Sequence, residues 1–149
     1  MRAFYDYDIF INMNITKEHS GNNMSGALKN LMGINSPVSD QTFHRREGLF
    51  GDENIAHLDQ CIADLNTIIR PHLCISDATV FVTTNGPNGP GKLRKSHKVV
   101  AGVNPVAMDA YCCRFLGLKG KDIKMIQFAH KHGIGEYDLG KLKVLEIQE

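Results

Sequence analysis

The 149-residue sequence predicts an α/β fold, a mixed sheet flanked by helices in a single domain over 1–149. Three observations carry that expectation. Short runs rich in Ile, Val and Phe alternate with stretches of helical period. Helix start and stop residues bound those stretches. The hydrophobic content of 42% at a net charge of +1 suits one buried core and excludes a disordered or collagen-like chain.

The elements follow in order. Tyr7 to Ile15 (YDIFINMNI) reads as a strand. Ser20 to Asn23 is turn chemistry, and Ser25 is placed to cap a short helix through Met32, stopped at Gly33. Residues 34–52 read as an irregular loop with Pro37, Gly48 and Gly51. Asp52 to Ile69 is the clearest helix: Ile55, Leu58, Ile62, Leu65 and Ile69 form one apolar stripe, and Pro71 ends it. Leu73 to Thr84 is a buried-type strand interrupted by Asp77, and Lys98 to Val103 is another. Asn104 and Pro105 are N-cap and first-turn signals for a helix to Leu116, closed by Gly117. A further helix spans about Asp122 to His132, and Leu142 to Ile147 reads as a final strand.

Charge is uneven. The first 91 residues carry 6 basic and 10 acidic side chains, whereas the remaining 58 carry 11 and 6. The sharpest cluster is Lys92, Arg94, Lys95 and Lys98, with His97 among them. It could attract an anionic ligand or nucleic acid, but a solvated strand end is the favoured reading. Trp is absent and the aromatics are scattered, which argues against nucleic acid as a partner. No apolar run approaches the ~18 residues of a membrane span, and MRAFYDYDIF lacks the apolar core of a secretory signal, so the expectation is a cytoplasmic protein with no membrane partner. The four cysteines (Cys61, Cys74, Cys112 and Cys113) form no C-x-x-C, so no iron–sulphur or zinc-ribbon motif is written in this chain and reduced core thiols are expected.

Four constellations can carry chemistry. His19, Lys29, Asn30 and His44 place two imidazoles and an amine around a short capped helix, a set suited to proton transfer, metal ligation or anion binding. Scattered structural histidines are the competing explanation. NGPNGPGKL (85–93) imitates the start of a P-loop, but Leu93 replaces the magnesium-holding hydroxyl, Pro87 and Pro90 remove N–H donors, and a strand follows where a helix is required. Gly86 and Gly89 there remain candidates for close approach to a ligand. Asp77 and Asp109 sit in apolar segments, so each must be a ligand-binding or anchoring group, or be paired locally, for instance with Arg114 or backbone. His130 and His132 diverge by about 200° on a helix and read as structural.

HSGNNMSGALKNLMG, FHRR, ISDATVFVTTNGPNGPG, VNPVAMDAYCCRFLG and HGIGEYDLGKLKV occur in one order. This pattern resembles the prokaryotic domain of unknown function 362 family, whose members are often described as iron–sulphur-associated. The resemblance runs from about Ile9 to Val144. Family members usually have a further N-terminal portion before the first strand and often a ferredoxin-like cysteine cluster; this sequence has neither. The resemblance therefore implies a partial domain, with an open sheet edge free to pair with another chain as a homo-oligomer. His19, Ser25-Gly26, Lys29 and His44 also resemble a stretch of the nickel-pincer lactate racemases, with Ala27 where a second Gly stands. That likeness implies His19 as proton-transfer group, Lys29 as cofactor tether and His44 as metal ligand.

The expectation is a metal- or cofactor-binding domain linked to redox or group-transfer metabolism, with a small molecule or metal ion as partner. Lys29 and His19 are its candidate catalytic residues. Asn30, Gly86, Gly89, Asp77 and Asp109 are candidates for holding the cofactor, and His44 for the metal. A non-catalytic binding or assembly module is the alternative, and racemase-like chemistry on a Lys-tethered metal cofactor a more remote one.

Overall fold

The computed structural model describes residues 6–148. Its main sheet has three strands in the order β1–β4–β5, formed by Ile11–Ile15, Leu73–Val82 and Leu93–Gly102. β1 runs parallel to β4, pairing Ile11 with Leu73 and Ile15 with Asp77, and β5 returns antiparallel to β4. Between β1 and β4 lie a hairpin, β2 (Lys17–His19) with β3 (Asn23–Ser25), and three helices: α1 (Ala27–Asn30), α2 (Pro37–His44) and α3 (Gly51–Ile68). After β5 come α4 (Pro105–Cys112) and α5 (Lys124–Lys131). The architecture is α/β, as the sequence predicts.

The core lies between helices. Leu58, Ile62 and Leu65 of α3 meet Met125, Ile126 and Ala129 of α5, Leu28 of α1 and Val106 of α4, all buried. The α3 stripe is the one read from spacing, and Asp52 and Glu53 in its first turn complement the helix dipole. α4 begins as expected: the Asn104 side chain accepts the N–H of Ala107 at 3.0 Å, and Pro105 occupies the first turn. The helix then tightens into a 3₁₀ turn over Cys113–Leu116, ended by Gly117 at φ 73°.

Several boundaries differ from the sequence expectation, each for a physical reason. The first strand begins only at Ile11, where pairing with β4 begins. The 34–52 segment contains α2, whose Ser36 hydroxyl accepts the N–H of Ser39 and whose first turn holds Pro37. That Ser-Pro start signal is present in the sequence, but the helix buries no residue and so lacks an apolar period. α3 starts one residue earlier, at Gly51, with Phe50 at its N-cap. β5 extends back to Leu93 because β4 supplies backbone partners that far. α5 begins at Lys124, after a separate 3₁₀ turn over Gly120–Asp122. Leu142–Ile147 forms no strand: Glu146 is held by the Tyr111 hydroxyl of α4 at 2.9 Å and by Arg114 of the following 3₁₀ turn at 3.7 Å.

The face of the sheet that meets α1 and α4 is unusually polar. Asn12, Asn14 and Ser76 are buried there with Cys74. Their polar atoms are satisfied locally: Asn12 Nδ2 donates to the carbonyl of Ala27 at 2.8 Å, and the Ser76 hydroxyl to Asn14 Oδ1 at 2.9 Å. The basic cluster is divided by strand alternation. Lys95 pairs opposite Val80 on one sheet face, while Arg94 pairs opposite Phe81 on the other and donates to the carbonyl of Phe115 at 2.6 Å. Among the described residues, no helix is long and apolar enough to cross a membrane.

Candidate functional site

A cleft of about 570 Å³ opens between the β2–β3 hairpin, α1, α2 and the loop after β4. It gathers His19, Lys29, Asn30 and His44, four groups that sequence reasoning singled out from separate segments, together with Lys17 and Asp40. A second hollow of about 480 Å³ lies against β5 and α4, where Tyr111 and Glu146 already bond each other. It contains none of those four groups.

The cleft is built from α1 outward. This helix has no side-chain cap of its own; its N-cap is Gly26, not Ser25. Asp109, from α4, supplies the missing acceptor. Oδ1 takes the N–H of Ala27 at 2.6 Å and Oδ2 that of Leu28 at 3.0 Å. A Cβ on residue 26 would stand 2.2 Å from Asp109 Oδ1, so only glycine admits the carboxylate. Burial pushes the Asp109 carboxyl up to about 7, against the pull of the two N–H donors. Asp109 is fully buried and does not line the cleft; of the alternatives open in the sequence, the structure shows a polar anchor bonded to backbone.

Lys29 follows on this anchored turn. It is only 9% exposed, and its ammonium donates to Met32 Sδ at 3.7 Å, a poor acceptor. None of the ion pairs among the described residues includes it. Burial drives its pKa down, and the more distant Asp59 and Asp40 carboxylates offset part of that.

His19 ends β2. Its Nδ1 accepts the N–H groups of Gly21 at 3.1 Å and Asn22 at 3.3 Å, so in the neutral ring the proton sits on Nε2. Burial, then the positive charge of Lys29, lowers its pKa to about 4. His44 has the opposite arrangement. Its Nδ1 lies 2.9 Å from the Asp40 carbonyl oxygen, which can only accept, so Nδ1 carries the proton and Nε2 the lone pair. The Asp40 carboxylate stands 3.4 Å from the same Nδ1. The cleft thus holds one imidazole that donates and one that accepts.

The other predicted residues have different roles. Asn30 borders the cleft, but its amide nitrogen donates to Asn12 Oδ1 at 2.7 Å and to the Met13 carbonyl at 3.0 Å, tying α1 to β1. Gly86 lets the loop dock on β2, since a Cβ there would meet the Glu18 carbonyl oxygen at 1.9 Å. Gly89 closes a turn onto the Asn85 carbonyl at 3.1 Å. It is Pro87 and Asn88, carried by this loop, that reach the cleft. Asp77 lies elsewhere: its carboxylate accepts the backbone and hydroxyl donors of Thr79, both at 2.7 Å, and these bonds hold its pKa low.

Sequence reasoning missed Asp59 and Asn22. Asn22 Nδ2 donates to Asp59 Oδ1 at 2.7 Å, and burial raises the Asp59 carboxyl to about 6. The signal was a carboxylate beside Leu58, three residues before Ile62, on the buried side of the α3 stripe.

Among the described residues, no three His, Cys, Asp or Glu side chains gather to hold an ion. Ligation through His19 Nε2 would also move the ring proton to Nδ1 and forfeit two backbone bonds. All four cysteines are free, and Cys74, Cys112 and Cys113 are buried with thiols raised by burial.

Residues 1–114 match the family model described as domain of unknown function (DUF362), and the chain belongs to that family. Searches of curated proteins and of solved structures returned no match.

Proposed function

We propose that the cleft binds a small anionic molecule, substrate or cofactor, and serves group-transfer or redox metabolism by moving protons on it. The observation that carries this reading is Lys29: a nearly buried ammonium whose hydrogen bond goes to a thioether. A buried cation without an oxygen partner calls for one, and a carboxylate or phosphate entering the cleft supplies it. The two imidazoles offer the bound molecule a hydrogen-bond donor at His19 Nε2 and a proton acceptor at His44 Nε2, and neither role calls for a metal.

The test is calorimetric titration of the purified chain with inorganic phosphate and with oxalate. Saturable binding of either anion by wild type is expected. Lys29→Met, which keeps the apolar stem, should weaken it by roughly 10- to 100-fold, the worth of a charge-assisted hydrogen bond. Equal binding by the variant, or no saturable binding by wild type at millimolar anion, overturns the reading. Intact-mass measurement separates reversible binding from a group tethered through the Lys29 amine. A non-catalytic assembly module is the second reading, favoured by apolar side chains left exposed on the sheet.

A further inference from the structure

The main sheet is more uniformly apolar on its exposed face than on its buried one. The buried face mixes Asn12, Asn14 and Ser76 with Cys74, Ala78 and Phe81. The opposite face carries Ile11, Met13, Ile15, Ile75, Val80 and Val99, which the strand register places side by side. Met13 is 68% exposed, Val99 63%, Ile15 51%, Ile11 46% and Val80 43%. A two-layer α/β protein standing alone does not ordinarily leave such an apolar face to water. A parallel pair such as β1 with β4 is also normally covered on both faces.

The geometry points to a second copy of this chain as the cover, the two sheets packing face to face about a two-fold axis. Charge favours a like partner. The apolar face carries one acidic and one basic group, Asp77 on β4 and Lys95 on β5, flanking Val80 and Val99. The Asp77 carboxylate accepts from its neighbour Thr79, and no ion pair among the described residues includes Asp77 or Lys95. A two-fold axis between them sets each opposite its counterpart on the other copy, the self-complementarity that an isologous interface demands. The area is adequate as well. Two ten-residue strands and one of five, about 4.8 Å apart, present on the order of 400 Å², which with side-chain relief is on the order of 500–600 Å² per copy, at the lower end of the range for specific interfaces. Aligned sheets then pack about 10 Å apart as in a sandwich. The cleft with Lys29 shares none of these apolar residues, so this inference stands apart from the anion-binding reading.

Light scattering on the full chain from about 5 to 200 µM tests it. A mass twice the 16.6 kDa of one chain is expected, held within that range. Met13→Glu and Val99→Glu should each yield a folded monomer by circular dichroism. Asp77→Lys should weaken the dimer at least tenfold, and Lys95→Asp added to it should restore most of the loss. If the Glu variants do not fold, oxidative footprinting of wild type decides. Met13 should be protected at high concentration and become reactive on dilution. A monomer at 200 µM, a mass that grows without limit, a dimer indifferent to all these changes, or a Met13 equally reactive at every concentration overturns the inference.

Discussion

Replacing Gly26 by alanine would put a methyl carbon 2.2 Å from Oδ1 and 2.7 Å from Cγ of Asp109, with Met24 Cε at 3.0 Å. A carbon–oxygen contact needs about 3.2 Å, so the carboxylate must retreat by about 1 Å. That displacement breaks at least one of its two bonds to α1, at 2.6 and 3.0 Å. A hydrogen bond to a charged group is worth about 1.5–3 kcal/mol, and overpacking a buried site adds about 1–3 kcal/mol. The expected destabilisation is therefore about 3–5 kcal/mol, which lowers Tm by roughly 10–15 °C in a chain this size. Urea unfolding followed by circular dichroism measures it. Gly33→Ala is the matched control: nothing lies within 4 Å of its added Cβ, so it should be neutral or stabilising by up to about 1 kcal/mol. A double-mutant cycle isolates the cause, because in an Asp109→Ala background the methyl has room and the cost of Gly26→Ala should shrink to about 1 kcal/mol. If Gly26→Ala lies within 1 kcal/mol of wild type, or costs the same with and without Asp109, the anchoring role assigned to that carboxylate is wrong.

Two further predictions concern titration. His19 should titrate near 4 and keep its proton on Nε2 at neutral pH, which nitrogen-15 imidazole spectra read directly; a resonance titrating at an unshifted 6.5, or an Nδ1–H tautomer, contradicts the hairpin geometry. Asp109 titrates near 7 when folded against 3.8 as the reference value, so the folded chain binds more protons between those values and stability falls as pH rises from about 4 to 7. Asp59, raised to about 6, acts in the same direction, whereas the depressed His19 loses its contribution as pH falls from 6.5 toward 4. Subtracting the Asp109→Asn profile from wild type cancels the latter two. The difference should drop by on the order of 4 kcal/mol from pH 4 to 8, and a flat difference rules the assignment out.

The elements legible in the sequence are those whose signals are local. The α3 stripe, the Asn104-Pro105 start of α4 and the apolar run of β4 arise from residue spacing and backbone chemistry within a few positions. The hairpin of Lys17–Ser25 was less legible: three-residue strands show no period, and its turn depends on Asn23 at φ 66° and on the His19 ring accepting backbone N–H groups. The expected strand at Leu142–Ile147 has apolar residues but no ladder to join, and Tyr111 and Arg114 hold its Glu146 instead.

By itself the sequence determined the fold class, the principal helices and a short set of polar residues with no place in an apolar core. Only the tertiary structure decided what each of them does. It drew His19, Lys29, Asn30 and His44 to one cleft, bonded the Asp77 carboxylate to its strand neighbour Thr79, and placed Asp109 under Gly26, 83 positions away in the chain. Hydrogen bonds and desolvation depend on which groups end up within about 3 Å, and that distance is set by how helices and sheet pack.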